Sequence, residues 1–221
     1  MERAHKCLIA IGLYSIAMAY VESAVVVYLR NMYGIDNILQ DMPQMSDKYI
    51  IIETGREAAT MVMLIIISWV TGRRWQDRIG YFIFAFGLWD IFYYIWLNIF
   101  IGWPKTILDW DVLFLIPLPW WGPVLSPMLI ALLLVAGGGL AVVMAVRDKI
   151  LRFTSVEWSV VGASVLLALY VFMLDAIHAL PGGIEAANAS RPTIFNWPLF
   201  IIALLGMTFS LIMALWKSFK G

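Results

Sequence analysis

Cysteine and histidine are scarce in this chain, and their scarcity excludes several kinds of site. The single cysteine, Cys7, cannot form an intramolecular disulfide, a CxxC redox pair or a cysteine zinc site. The two histidines, His5 and His178, give no support to a bis-histidine haem. A GxSxG motif is also absent from the sequence, so serine-hydrolase chemistry is not favoured.

Charge is equally scarce. Charged residues make up 14% of the sequence, and 15 basic residues balance 15 acidic ones, which leaves no basic patch for a nucleic-acid partner. Hydrophobic residues make up 62%, and the mean hydropathy is +0.86. No water-soluble fold of this size buries so much apolar surface, whereas a lipid bilayer accepts it in helices of roughly 20 apolar residues. The composition therefore predicts an integral membrane protein.

Six apolar runs of spanning length follow one another along the chain. They predict an all-α, polytopic bundle of about six transmembrane helices, with no room for a soluble domain, so residues 1–221 form one membrane domain. In span four, Gly137, Gly138 and Gly139 favour tight helix packing. The predicted spans are 7–29, 49–71, 79–101, 123–146, 156–178 and 197–216.

Lysine and arginine residues are distributed unevenly between the two sides of this bundle. Short loops rich in Lys and Arg stay in the cytoplasm, so both termini are expected there, in a prokaryotic cytoplasmic (inner) membrane. The first span is of full length and carries Glu22, which favours an uncleaved helix over a signal peptide. One side holds Arg3, Lys6, Arg73, Arg74, Arg78, Arg147, Lys149, Arg152, Lys217 and Lys220, and the other holds Arg30, Lys48, Lys105 and Arg191.

Several ionisable residues lie inside the predicted spans, all in the middle or outer part of the membrane. A charged side chain that faces lipid at the bilayer centre costs roughly 2.5 to 3.5 kcal/mol or more, so such groups usually face the bundle interior and mark function. We therefore expect these residues to gather in one site. They are Glu22, Glu53, Arg56, Glu57, Asp90, Asp175 and His178.

Helical spacing places many of these groups on shared faces. Glu53, Arg56 and Glu57 lie at i, i+3 and i+4 in span two, and Asp90 precedes Tyr93 and Tyr94 by about one turn in span three. If the carboxylates of this set were all ionised beside Arg56 alone, they would leave a large negative charge. Either several of them are protonated, or one or two divalent cations lie among them.

The connection 103–122 is too short to span a membrane and too apolar for an ordinary loop. Its tryptophans and prolines predict an interfacial or re-entrant segment that covers the polar cluster. Asp109 and Asp111 within it either form a solvated loop pair, which is the favoured interpretation, or add ligands to the cluster or attract cations.

Three functions fit these patterns. The first is a metal-binding membrane oxidoreductase or hydrolase that acts on a small-molecule or lipid-soluble substrate, with catalytic roles for Arg56, Tyr93 and Tyr94. Iron, manganese or zinc suits such carboxylate and imidazole ligands. The second is a proton- or cation-coupled transporter or a quinol-reactive subunit of an electron-transport complex, and the third is a structural subunit of other membrane proteins. The predicted metal ligands are Glu22, Glu53, Glu57, Asp90, Asp175 and His178.

Overall fold

Six long helices dominate the computed structural model, which describes residues 2–35 and 47–220, without the side chains of 47–50, 219 and 220. Lys48 and Lys220, which contribute to the predicted charge asymmetry, are therefore outside the described side chains. The long helices are α1 (Glu2–Tyr33), α2 (Asp47–Thr71), α3 (Trp75–Ile101), α4 (Leu125–Val146), α5 (Ser155–Phe172) and α8 (Trp197–Lys220). The short helices are α6 (Leu174–Ala179) and α7 (Ile184–Asn188), with a 3-10 turn (Leu180–Gly182) between them.

Five of the long helices, α1, α3, α4, α5 and α8, are long and apolar enough to cross a membrane. The chain is therefore a mostly helical membrane protein, as its composition predicts. The helix predicted at 49–71 is present as α2, but it is not among these five, and its first half carries Glu53, Arg56 and Glu57. Its role as a sixth span, like the orientation of the termini, stays a prediction.

Helix α3 is the centre of one group of helices and packs against α1, α2 and α4. The contact with α4 is close because glycines face each other: a Cβ atom on Gly138 would lie 2.5 Å from the Gly80 carbonyl oxygen. Helices α5 and α8 form a second pair, which joins the first group through contacts of α8 with α4.

A local sequence signal explains where helix α5 begins. Thr154 and Glu157 form a capping box at the start of α5, in which the Glu157 N–H donates to the Thr154 hydroxyl oxygen (3.3 Å) and the Thr154 N–H donates to the Glu157 carboxylate (2.8 Å). Helix α5 ends at Phe172, earlier than the predicted 156–178, so Asp175 and His178 belong to α6 instead.

The connection 103–122 contains a β-hairpin, which an all-α prediction did not include. Strands β1 (Trp110–Phe114) and β2 (Trp120–Pro123) pair antiparallel, with Val112 opposite Trp121. Both strands carry aromatic residues, and β1 also carries the β-branched Val112, which suit a pleated surface. Strand β2 packs against α4 and α5, and Trp121 is buried.

The two ends of the bundle differ in what they carry. At one end, which we call the termini end, Arg3, Thr71, Asp77 and Val146 line a common cavity, so the start of α1 lies beside the α2–α3 connection and the end of α4. The opposite end carries the hairpin, and we call it the hairpin end.

Candidate functional site

A cavity of about 140 Å³ lies at the hairpin end, between α1, α2, α3 and β1. Each of these four elements contributes at least one charged side chain to its wall. The structure therefore brings together most of the ionisable residues that the sequence placed in one site. The predicted residues in its wall are Glu22, Glu53, Arg56, Glu57, Asp90, Tyr93 and Tyr94.

Arg56 is the hub of an ion-pair group between α1 and α2. Its Nη1 atom contacts the Glu22 carboxylate, and its Nε donates to Glu53 Oε2 at 2.8 Å. The hydroxyl of Thr60, one turn further along α2, donates to Glu22 Oε2 at 3.2 Å. The spacing of Glu53, Arg56 and Thr60 places all three on the helix face that meets α1, and Arg56 thereby offsets two buried carboxylates at once.

Glu57 connects α2 to the hairpin. Its carboxylate accepts a hydrogen bond from the backbone N–H of Leu115, at 3.2 Å from Oε1 and 3.1 Å from Oε2. Leu115 directly follows β1, so this bond holds the hairpin over the cavity. The segment predicted to cover the polar cluster thus forms part of its wall, as a paired hairpin.

Helix α3 supplies Asp90, Tyr93 and Tyr94. The Ser23 hydroxyl of α1 donates to the backbone carbonyl of Tyr93 at 3.0 Å, which fixes α1 against this part of α3. The two tyrosine rings meet edge to face, with centroids 5.0 Å apart. Their hydroxyl groups and the Asp90 carboxyl provide exchangeable protons at the same wall of the cavity.

Sequence reasoning missed two residues of this site, Arg30 and Asp111. They form a buried ion pair, with Arg30 Nη2 3.6 Å from Asp111 Oδ1, and their exposed fractions are 7% and 2%. The Arg30 guanidinium also lies over the Trp103 ring, 3.9 Å from its centroid. The interpretation of Asp111 as a solvated loop residue is therefore wrong, because strand pairing turns it inward.

Sequence signals for this pair did exist. Arg30 follows Glu22 by eight residues, which places both near one face of α1. Asp111 stands between Trp110 and Val112 in an otherwise apolar strand, a context in which a solvated aspartate is unusual. Asp109, in contrast, accepts hydrogen bonds from the N–H groups of Lys105 and Thr106 at the hairpin base, as expected for a turn residue.

We expect Asp111 to titrate near neutral pH. Burial raises the pKa of its carboxyl to about 6, although the Arg30 guanidinium beside it favours the ionised form. The side chain should therefore be protonated below about pH 6 and ionised above it. As the pH is raised through about 6, infrared spectra of the wild type should lose a protonated-carboxyl band. Spectra of Asp111→Asn should not show this loss.

Asp109→Asn is the matched control for this titration. Although burial opposes the effect, hydrogen bonds from Thr106 and Lys105 hold the pKa of Asp109 below its usual value, so its removal should leave the band near pH 6 intact. A band that persists unchanged in Asp111→Asn would contradict the assignment.

Asp175 and His178 do not line the cavity, contrary to the expectation of one shared site. Asp175 accepts hydrogen bonds from the Thr193 N–H (3.3 Å) and hydroxyl (2.8 Å), and His178 is exposed on α6. Helix α6 packs against α5 and α7 rather than against α2 or α3, which separates these two residues from the others. Within residues 2–35 and 47–220, no group of three or more His, Cys, Asp or Glu side chains is arranged to hold a metal ion.

The charges of the cavity do not balance if every group is ionised. Five carboxylates and two guanidinium groups line it, so full ionisation would leave a charge of minus three. The carboxylates are Glu22, Glu53, Glu57, Asp90 and Asp111.

Comparisons with protein-family models, with curated proteins and with solved structures find no match for this chain.

Proposed function

We propose that this chain is a proton- or cation-coupled membrane protein whose hairpin-end cavity binds the coupled ion. The observation that carries the proposal is the surplus of five carboxylates over two guanidinium groups around one cavity. A poorly hydrated site does not hold three uncompensated negative charges, so it takes up protons or a cation. Carboxylates that exchange such ions at membrane depth are the usual carriers of coupling in transporters and pumps.

The contacts divide the carboxylates into two groups. Glu22 and Glu53 are paired with Arg56, and Glu57 is bound by the Leu115 N–H, so these three have fixed partners. Asp90 on α3 lines the same cavity, and Asp111 on the hairpin pairs with Arg30 through Oδ1 alone, which leaves its Oδ2 atom without a hydrogen-bond partner among the described residues. We assign ion exchange to Asp90 and Asp111, with Tyr93 and Tyr94 as hydroxyl groups along the proton path.

The distribution of basic residues supports a direction for this site. Arg73, Arg74 and Arg147 belong to the termini end, where Lys and Arg of the chain concentrate. By the positive-inside tendency, the termini end faces the cytoplasm of a prokaryotic cell and the hairpin end faces outward. The proposed cavity then exchanges its ions with the outer side of the cytoplasmic membrane.

Proton flux into proteoliposomes tests the proposal. With an internal pH dye and an imposed membrane potential, we expect wild-type protein to carry protons faster than empty liposomes. Asp90→Asn removes the exchangeable carboxyl of α3 and should lower this flux by at least about tenfold. Asp175→Asn is the matched control, because it makes the same chemical change at a carboxyl that lies outside the cavity and binds Thr193.

The outcomes separate the candidate functions. The proposal would be contradicted if wild-type protein gave the same flux as empty liposomes under each of four imposed gradients. These are gradients of protons, sodium, potassium and ammonium. The divalent metal ion expected from the sequence is the other occupant to be tested, although no three carboxylates among the described residues are arranged to hold one. Elemental analysis of purified wild type and Asp90→Asn tests it, since stoichiometric metal lost in the variant would replace ion coupling by metal chemistry.

A further inference from the structure

Aromatic rings form much of the cavity wall. Trp89, Tyr93 and Tyr94 of α3 line it together with Phe114 of the hairpin. The Phe114 and Trp89 ring centroids are 6.2 Å apart, so the two elements bring their rings to one side of the cavity. Phe114 has no hydrogen-bonding or ionisable group, and a site for protons alone does not require such a ring. Phe114 packs on Phe86 and Trp120, and where it lines the cavity its ring offers a ligand apolar and π contacts.

The charge of the same wall selects the sign of that ligand. Both guanidinium groups lie beside carboxylates, Arg56 beside Glu22 and Glu53, and Arg30 beside Asp111 and the Trp103 ring. Arg30 Nε and Nη2 make no hydrogen bond among the described residues, but the five carboxylates of the cavity outnumber the two guanidinium groups. An anion would therefore add to an existing negative surplus. A cation offsets it and is attracted to the faces of aromatic rings within about 6 Å of their centroids. Arg30 over Trp103 is an example of this contact at the same end of the bundle.

A buried acceptor without a partner also points to a ligand. Asp111 is 2% exposed, and its Oδ2 atom has no hydrogen-bond partner among the described residues. A buried, unpaired carboxylate oxygen is costly, and it is satisfied when a cationic or donor group occupies the space before it. Asp111 is one of the residues that line the cavity, so a cation bound there lies near this carboxylate.

The volume limits the size of the ligand. The cavity measures about 140 Å³. An engineered protein cavity of about 150 Å³ accepts one benzene molecule, so a group with on the order of six heavy atoms fits here. That is the size of a small substituted ammonium group. The described residues offer no three-ligand metal group.

We infer that the cation bound in the hairpin-end cavity is organic, a quaternary or similarly substituted ammonium group held between ring faces and carboxylates. This inference rests on the proposed function and names the class of its ligand. Phe114, Trp89 and the two tyrosines contact the alkyl groups, and Asp90 and Asp111 offset the charge. The same ammonium group occurs in free choline-like solutes and in choline lipid headgroups.

Binding of radiolabelled choline to the purified full-length protein tests the inference. The ammonium group of choline carries a permanent charge and has no N–H proton, so it cannot protonate a carboxylate. Choline binding therefore reports cation binding and not protonation. We expect saturable binding that tetramethylammonium displaces. Dimethylbutanol, the neutral isostere in which carbon replaces the nitrogen, should not displace it. This comparison uses the wild type alone and so does not depend on how any variant folds.

Two matched variants locate the binding. Phe114→Leu keeps an apolar side chain but removes the ring, and it should weaken choline binding about 3- to 30-fold. Phe100→Leu makes the same change in a ring that packs on Trp96 and does not line the cavity, and it should leave affinity unchanged within about twofold. Choline binding measured in nanodiscs with and without phosphatidylcholine identifies the source of the ammonium group. If the cavity binds the lipid headgroup, phosphatidylcholine should weaken choline binding. If the cavity binds a free solute, the lipid should have no effect.

Any one of three results would overturn the inference. Absence of choline binding, equal displacement by dimethylbutanol, or equal effects of Phe114→Leu and Phe100→Leu would each exclude an organic cation held by ring faces. If Asp90→Asn still abolished proton flux in that case, the proposed ion coupling would stand without this ligand. If choline does not bind and Asp90→Asn does not lower the proton flux, both proposals are contradicted.

Discussion

Replacing Arg56 by methionine should destabilise the protein by about 3 to 5 kcal/mol, the cost typical of removing one partner from a buried ion pair. Arg56 contacts Glu22 on α1 and Glu53 on its own helix, so the substitution leaves two buried carboxylates without their cation. Methionine keeps much of the side-chain length, which limits the loss of packing. Reversible unfolding in mixed micelles measures the change in the free energy of unfolding.

Compensating substitutions distinguish charge from shape in this experiment. Adding Glu22→Gln and Glu53→Gln to Arg56→Met removes the unpaired charges and should recover most of the lost stability. Arg74→Met is the control, because its ion pair with Asp148 is exposed and should contribute no more than about 1 kcal/mol. An Arg56→Met variant within about 1 kcal/mol of wild type would mean that Glu22 and Glu53 do not depend on the guanidinium.

The part of the site on α2 could be predicted from the sequence because a helix converts spacing into geometry. Glu53, Arg56 and Glu57 fall on one face whatever the rest of the fold does, and charges in an apolar helix turn inward. The structure places all three in the cavity wall. The same reasoning placed Asp90, Tyr93 and Tyr94 together on α3, where the structure also has them lining the cavity.

The rest of the site depends on which helices and strands pack together, and this cannot be deduced from a single sequence. Asp111 is buried where β1 pairs with β2 beside α2 and α3. The apolar context of Asp111 in its strand indicates burial but does not specify these neighbours. Asp175 and His178 lie at the predicted outer membrane end like the other charges, yet α6 has its own neighbours. The position of a charge along its helix could therefore be predicted, whereas its position around the bundle could not.

Replacing Gly138 by alanine should disrupt both packing and site geometry, although it adds a single methyl group. A Cβ atom at this position would lie 2.5 Å from the Gly80 carbonyl oxygen and 2.6 Å from the Phe84 backbone nitrogen. Backbone atoms of a packed helix cannot turn aside as a side chain can, so α3 and α4 would have to separate. We expect a loss of about 3 kcal/mol or more in the free energy of unfolding, at the upper end of overpacking effects.

Gly139→Ala is a close control for this prediction, since the next residue of the same helix meets only the Phe84 ring, at 3.7 Å. Alanine is the better helix former, so this variant should be as stable as wild type or more stable by up to about 1 kcal/mol. Equal stability of the two variants would show that α3 and α4 tolerate separation. Because α3 also carries Asp90, Tyr93 and Tyr94, Gly138→Ala should reduce proton flux in the fraction that folds, whereas Gly139→Ala should retain it. A contact distant from the cavity then controls the position of its exchangeable groups.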